Sequence, residues 1–215
     1  MAQIFPQWLN RLPIMLGVVG SVVPAIAGAV AWYYLSPEYT DVGYRPEQPV
    51  PFSHALHAGE LQLSCLYCHT GVERSSVASV PPTQTCMNCH QLVGRDQETL
   101  APVRDSASSG EPIFWVRVHK VGEYAYFPHD AHVAAGVGCS TCHGDVASME
   151  VVTQVEPLSM RWCLDCHRDP APYLRPRDEL TDTTWKPPPE QPEFARARIA
   201  ELAIAPPVDC SGCHR

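Results

Sequence analysis

The sequence predicts one membrane-spanning helix, followed by a domain of short helices and coil that repeats a cysteine–histidine motif. Residues 12–35 contain no charged side chain, between Arg11 and Glu38. Beyond this apolar segment, all ten cysteines fall in five C-x-x-C-H sequences. The 22 prolines and 13 glycines of the chain indicate many short connections in place of long regular elements.

The C-x-x-C-H motif is the attachment signal for a c-type haem. Its two thiols form thioether bonds to the porphyrin, and the adjacent histidine becomes the fifth ligand of the iron. Zinc ribbons and disulfide scaffolds also use paired cysteines, but neither needs a histidine after every second cysteine. The sequence therefore predicts five c-type haems, covalently bound by Cys65, Cys68, Cys86, Cys89, Cys139, Cys142, Cys163, Cys166, Cys210 and Cys213, with proximal iron ligands His69, His90, His143, His167 and His214.

Five of the ten histidines remain as candidates for the sixth, distal ligand of each iron. They are His54, His57, His119, His129 and His132. One spare histidine for each haem predicts closed, six-coordinate irons, and we expect no catalytic residue. Met149 and Met160 are alternative distal ligands, because a thioether sulfur can replace imidazole and raises the potential of the haem.

The apolar segment 12–35 would form a helix of about 36 Å, enough to cross a hydrocarbon layer of about 30 Å. Arg11 precedes it and acidic residues follow it, so residues 1–11 are expected to be cytoplasmic. A cleaved signal peptide is the competing interpretation, because Ala25-Ile-Ala27 could serve a peptidase. We expect a retained single-pass anchor, with all haems on the extracytoplasmic side.

The rest of the chain divides into a proline-rich linker and a duplicated module. The linker covers residues 36–51. The pattern F-x-H-x-x-H followed by two haem motifs occurs over residues 52–90 and again over residues 127–167. This internal repeat predicts duplication of a two-haem module. Residues 91–126 connect the two modules, and residues 168–215 contain a proline-rich segment, a short helix and the fifth motif.

Charge and size add two further expectations. The formal net charge of −8 argues against a nucleic-acid partner. With so little protein available for each haem, the porphyrins themselves are expected to form much of the core.

The F-x-H-x-x-H pattern before a haem motif resembles the small class III multihaem cytochromes. That resemblance implies that the first histidine of each pair ligates the haem of the motif that follows. His54 would then serve the haem on Cys65 and Cys68, and His129 the haem on Cys139 and Cys142. The second histidines, His57 and His132, would serve neighbouring haems, and His119 another.

A second resemblance covers almost the whole chain. The anchor, the two modules, the segments Trp115–His119 and Pro157–Cys163 and the C-terminal motif are similar to the pentahaem cytochrome c subunit of alternative complex III. This resemblance implies an electron-transfer subunit of a quinol:acceptor oxidoreductase in the bacterial inner membrane, with the haem domain on the periplasmic side. Its partners would be an iron–sulfur subunit, multi-span membrane subunits, a monohaem cytochrome c and a soluble electron carrier or oxidase.

Two other functions are compatible with these motifs. One is a self-sufficient multihaem quinol dehydrogenase that feeds a periplasmic reductase, although five haems and a duplicated module suit it less well. The other is a multihaem enzyme that reduces a nitrogen or sulfur compound. Such an enzyme needs an iron with an open position, and five spare histidines for five haems leave none.

Overall fold

A computed structural model of the chain describes residues 4–214. Residues 1–3 of the predicted cytoplasmic segment and Arg215, the last residue of the predicted C-terminal segment, lie outside the described residues. The chain forms two compact units, Met1–Asp41 and Val42–Arg215. The boundary between the units falls within the predicted linker, residues 36–51.

The first unit contains the apolar helix. A 3-10 turn at Gln7–Arg11 leads into α1, Leu12–Tyr34, and a short helix α2 follows at Pro37–Thr40. The 23 residues of α1 give a length of about 34 Å, and the helix continues through Pro24. The mean hydropathy of 2.2 and the exposure of the whole segment suit a membrane anchor or a signal sequence.

Aromatic side chains cluster at the end of α1. The rings of Tyr33, Tyr34 and Tyr39 have centroids 4.6 to 5.8 Å apart. Amphipathic rings of this kind are favoured where a membrane helix reaches the water interface.

The second unit consists of short helices joined by coil. Its helices are α3 Cys65–Cys68, α4 Thr83–His90, α5 Ala101–Ser109, α6 His129–Ala135, α7 Ser140–His143, α8 Met160–Arg168, α9 Gln191–Leu202 and α10 Cys210–Cys213. The described residues form no β-sheet. Two isolated antiparallel bridges join Ala125 to His214 and Val137 to Leu174. The predicted fold class, an apolar N-terminal helix and a domain of short helices and coil, is confirmed.

The polypeptide of this unit buries few apolar side chains by itself. Those that the described residues bury are Val50, Val103, Leu174, Leu180 and Ala195. A domain of this size ordinarily has a continuous apolar core. So small a polypeptide core agrees with the expectation that porphyrins supply much of the packing.

The two repeats present their paired histidines on different local structures. In the first, His54 precedes a π-helical turn, Ala55–Glu60. In the second, His129 begins α6, which ends at Gly136 in the left-handed conformation, with φ = +106°. The second histidine of each pair nevertheless makes the same contact. The Nδ1 atoms of His57 and His132 each lie 2.8 Å from the carbonyl oxygen four residues earlier.

Candidate haem-attachment sites

Each C-x-x-C-H motif lies on a single helical turn. The motifs occupy α3, α7 and α10 and the ends of the longer helices α4 and α8. Residues three apart in a helix lie on one face, so the two thiols of each motif face the same side. In α3, for example, the backbone N–H of His69 donates to the carbonyl of Cys65 at 2.8 Å. None of the ten cysteines is paired in a disulfide, so both thiols of each motif are available for thioether attachment.

Backbone carbonyl oxygens orient most of the proximal histidines. The Nδ1 atom of His69 lies 2.9 Å from the oxygen of Ser79, and that of His90 lies 2.9 Å from the oxygen of Val93. His167 makes the corresponding contact with Pro207 at 2.7 Å, and His214 with Tyr124 at 3.1 Å. A carbonyl accepts only from a protonated Nδ1, which leaves the Nε2 lone pair free for a metal.

His143, the proximal histidine of the third motif, is the most deeply enclosed of the imidazoles. Burial, followed by the nearby rings of His119, His129 and His69, lowers the pKa of His143 to about 3. The neutral imidazole that results is the form that binds iron.

Two distal candidates lie opposite a proximal histidine at the separation expected across one iron. The ring centroids of His57 and His90 are 6.1 Å apart, and those of His132 and His167 are 6.0 Å apart. Two imidazoles on opposite sides of a metal have centroids about 6 Å apart, because each metal–nitrogen bond is about 2 Å and the centroid lies about 1 Å behind the nitrogen. The residues of the second and fourth motifs therefore fit a six-coordinate haem.

His129 and His54 lie near the motifs that the class III resemblance implies. The ring of His129 is nearly parallel to that of His143, at 6.5 Å and 9°. His54 has a buried Nδ1 without a hydrogen-bond partner. Burial, followed by the charges of His69 and His57, lowers the pKa of His54 to about 4. His54 is thus a neutral imidazole close to the first motif.

His119 lies beside the third motif. Its ring is 4.3 Å from that of His143, edge to face, which is too close for the two rings to bind opposite sides of one iron. Its Nε2 is buried and has no hydrogen-bond partner, as expected of an atom that is free to ligate. His214 is the proximal histidine of the fifth motif. Its ring contacts that of Tyr124, with centroids 5.8 Å apart.

The two methionines occupy different environments. Met149 is half-buried and its carbonyl oxygen accepts the N–H of Ala55 at 3.0 Å. Met160 is the first residue of α8 and its side chain is largely exposed. Both stay predictions as alternative distal ligands.

Thiols of different motifs influence one another electrostatically. Burial, followed by the thiols of Cys166 and Cys163, raises the pKa of Cys142 to about 12. Burial, followed by the thiol of Cys86, also raises the pKa of Cys68. Coulomb interactions weaken with separation, and the first and second motifs also contact each other directly, through Asn88 and Tyr67 at 2.9 Å.

Arg175, which was not predicted from the sequence, holds the third motif in place. This buried guanidinium donates to the carbonyl oxygen of Asp182 at 3.0 Å and to the hydroxyls of Ser140 and Thr141, the two middle residues of the motif, at 3.2 and 3.4 Å. It also stacks over the ring of Trp185 at 4.5 Å. A lone arginine in a proline-rich segment carries no sequence signal of this role.

Comparison with known proteins supports the class that these sites indicate. Residues 125–215 match the family described as cytochrome c7 and related cytochrome c. The match covers the second repeat and the fifth motif, which hold three of the five C-x-x-C-H sequences, and it makes this part of the chain similar to the c-type cytochromes of that family.

A more particular similarity is to one subunit of a menaquinone reductase. Over 143 residues the chain is 30% identical to the multiheme cytochrome c subunit of the menaquinone reductase of Nitratidesulfovibrio vulgaris. The alignment covers 61% of this chain and 65% of the relative.

Proposed function

We propose that this chain is a membrane-anchored pentahaem c-type cytochrome that relays electrons within a quinone-linked membrane complex. The observation that carries the proposal is the pairing of His57 with His90 and of His132 with His167, each about 6 Å apart. Imidazole on both sides leaves an iron no position for a substrate. Such a site suits electron transfer and does not suit reduction of a nitrogen or sulfur compound.

The residues of the chain bind, orient and enclose the cofactor, which when bound supplies a one-electron redox couple. The cysteine thiols would hold the porphyrin edge, and the Nε2 atoms of the histidines would hold the iron. Carbonyl oxygens such as that of Ser79, which accepts from His69 at 2.9 Å, fix the imidazole tautomer and make the ring a stronger ligand. Paired imidazoles keep a haem potential lower than a histidine and a methionine would.

The apolar helix supports a single-pass anchor in a bacterial inner membrane. Arg11 lies before the span, and Glu38 and Asp41 follow it, which favours a cytoplasmic N-terminus. The haem domain would then be periplasmic, where thioether attachment takes place.

The finer proposal is that the complex is an alternative complex III. The anchor, the duplicated two-haem module and the fifth motif support it by their resemblance to the pentahaem subunit of that complex. Its partners would be the iron–sulfur, multi-span membrane and monohaem cytochrome subunits, and its acceptor would be a periplasmic carrier or oxidase.

The similarity to a menaquinone reductase subunit favours a second candidate, in which electrons pass toward quinone. Both candidates make this chain a relay beside a separate quinone site. A self-sufficient quinol dehydrogenase is less well supported. A quinone site needs a cleft with ionisable groups. At and just beyond the end of α1 lie Tyr33, Tyr34, Glu38 and Asp41, and within residues 4–214 no second helix is long and apolar enough to form a wall in the membrane.

The test is copurification from native membranes in mild detergent. The relay predicts that an affinity-tagged chain retains multi-span membrane and iron–sulfur subunits, identified by mass spectrometry. Adding a reduced quinol analogue should reduce the haems rapidly in the complex and not in the isolated chain. Rapid, inhibitor-sensitive reduction of the isolated chain would overturn the relay in favour of the quinol dehydrogenase.

The two relay candidates differ in the direction of electron flow. In the alternative complex III type, quinol reduces the haems and a periplasmic acceptor reoxidises them. In the menaquinone reductase type, a periplasmic donor reduces the haems and menaquinone reoxidises them. Stopped-flow measurements on the purified complex distinguish the two cases.

A further inference from the structure

We propose that the first haem motif, Cys65–His69, and not the second, connects the two duplicated modules, so that the second motif, Cys86–His90, is a terminus of the electron path. In space, the electron path then begins with the second motif and continues to the first and the third. Along the chain, the first motif precedes the second. This inference rests on the proposed five-haem relay.

The first and second motifs contact each other through their middle residues. Tyr67 lies between the cysteines of the first motif, and Asn88 between those of the second. The amide Nδ2 of Asn88 donates to the phenol oxygen of Tyr67 at 2.9 Å. The other side of α4, which carries the second motif, packs on α5, where the hydroxyls of Thr83 and Ser106 are 2.7 Å apart.

The loop after the first motif, residues 71–80, contacts the start of α6, where His129 lies. The carbonyl oxygen of Ser76 lies 3.3 Å from the backbone nitrogen of His129 and 2.9 Å from its Nδ1. The N–H of Asp130 donates to the carbonyl of Ser75 at 3.3 Å. The ring of His129 faces that of His143, the proximal histidine of the third motif.

A second connection joins this loop to the third motif. Arg177 forms a 2.6 Å ion pair with Glu73. The same short segment continues to Leu180, whose carbonyl oxygen accepts the N–H of Cys139 at 3.0 Å. The turn from Arg177 to Leu180 therefore contacts both Glu73, which follows the first motif, and Cys139 of the third motif. This turn holds the two motifs together.

The remaining motifs follow from the third. His129 and His132 lie one turn apart on α6 and face the third and fourth motifs, His143 and His167, at 6.5 and 6.0 Å. The Nδ1 of His167 contacts the carbonyl of Pro207 at 2.7 Å, three residues before the fifth motif begins. The second module and the fifth motif therefore form one continuous group. Each transfer along the path moves one electron from a reduced to an oxidised iron, and no bond is made or broken.

Light-driven reduction from the fifth motif tests this order on the full-length chain. A maleimide derivative of ruthenium tris-bipyridine would be attached at Tyr124→Cys. The side chain of Tyr124 is 71% exposed, and its carbonyl oxygen contacts His214. Illumination of a dilute sample with a sacrificial donor gives a rapid phase, whose α-band amplitude counts the haems that are connected to the label.

Two haem-deletion variants carrying this label give opposite expectations. Without the second motif, in Cys86→Ser/Cys89→Ser, every remaining haem should be reduced in the rapid phase. Without the first motif, in Cys65→Ser/Cys68→Ser, one haem should be left out, because the second haem is isolated. If the haems were connected in chain order, the variant without the second motif would leave one haem out, and the variant without the first motif would leave none out. That result would overturn the proposal. Each variant decides between the two orders by itself, so the test survives if one fails to fold.

A haem count by the pyridine haemochromogen method separates this inference from the proposed function. Fewer than five haems in the labelled parent would contradict the pentahaem relay itself. The photoreduction requires neither quinone nor partner subunits, so failure of the copurification experiment would leave the proposed order intact.

Discussion

Seven histidines direct an Nδ1 hydrogen to a backbone carbonyl oxygen. They are His57, His69, His90, His129, His132, His167 and His214. This one contact fixes the tautomer, the ring orientation and the basicity of a ligand. Any residue can supply the carbonyl, so the partners of these histidines leave no pattern in the sequence.

The first prediction is that His132→Ala opens one iron. The ring of His132 lies 6.0 Å from that of His167, so its loss should leave the haem of the fourth motif five-coordinate. One haem should then become high-spin and bind carbon monoxide, while all thioether bonds remain. Asp130→Asn, on the same helix, is the matched control and should keep every haem low-spin. A His132→Ala spectrum identical to that of the parent would assign this histidine to structure alone.

The second prediction concerns Arg175, which donates to the middle residues of the third motif. Arg175→Met should lower the free energy of unfolding by about 2–4 kcal/mol, because buried acceptors lose their donor. It should also lower the midpoint potential of one haem, because a buried positive charge nearby favours the electron-rich reduced form.

Arg175→Lys separates these two effects. It keeps the charge but lacks the planar fork of donors, so the potential should stay near that of the parent while stability falls. Potentiometric titration and thermal unfolding measure the two effects. An unchanged potential in Arg175→Met would show that the guanidinium acts on structure only.

At the scale of elements, the two repeats place their histidines more uniformly than they form their backbone structure. A π-helical turn follows His54, whereas an α-helix begins at His129. Both elements place the second histidine against the carbonyl four residues earlier and opposite the second motif of its own module. The two repeats therefore share the arrangement of their histidines more closely than they share their helices.

The third prediction compares two glycines that end helices in the left-handed conformation. Gly136 ends α6 with φ = +106°, and Gly110 ends α5 with φ = +80°. A Cβ at Gly136 would lie 2.9 Å from the carbonyl oxygen of Arg175, whereas a Cβ at Gly110 would meet nothing within 4 Å. Gly110→Ala should cost about 1 kcal/mol from backbone strain alone, and Gly136→Ala about 2–3 kcal/mol because crowding is added. Equal melting temperatures for the two variants would contradict this account.

The fourth prediction concerns α1. If the helix is retained as an anchor, alkaline carbonate should not release the protein from membranes, because the apolar side chains of α1 would have to enter water. Immunoblotting of the washed pellet and N-terminal sequencing of the mature chain are the measurements. A mature N-terminus near Gly28, following the Ala25-Ile-Ala27 site, would identify a cleaved signal peptide.

At the scale of the whole molecule, the small apolar core sets the relation between folding and cofactor attachment. The described residues of the second unit bury few large side chains, Leu174 being the most completely enclosed. Apolar burial is the main favourable term in folding, so the porphyrin faces must supply the apolar surface that the polypeptide lacks. We infer that haem attachment and folding of this unit are coupled.

The fifth prediction follows from the equal numbers of motifs and spare histidines. The purified chain should carry five covalent haems, all low-spin when oxidised, as measured by intact mass and by electron paramagnetic resonance. Expression without the haem-attachment machinery should yield an unfolded second unit. A high-spin fraction in the intact protein would show that one iron lacks a protein distal ligand.

The sequence by itself determined the repeated C-x-x-C-H motif and the apolar helix, and it predicted c-type haem, its attachment residues and the duplicated module. These features depend on local chemistry. Thioether attachment needs two thiols and a histidine within one helical turn, and a membrane span needs a continuous apolar run. Such requirements are met by neighbouring residues, so they are visible in the order of the chain.

Only the tertiary structure decided which groups meet. It placed His57 opposite His90 and His132 opposite His167, brought Arg175 beneath the third motif, and joined Tyr67 to Asn88. It also placed His119 against His143, where the sequence had left its haem open. These contacts connect residues up to 35 positions apart through coil, whose path is set by packing and hydrogen bonding and not by a periodic pattern.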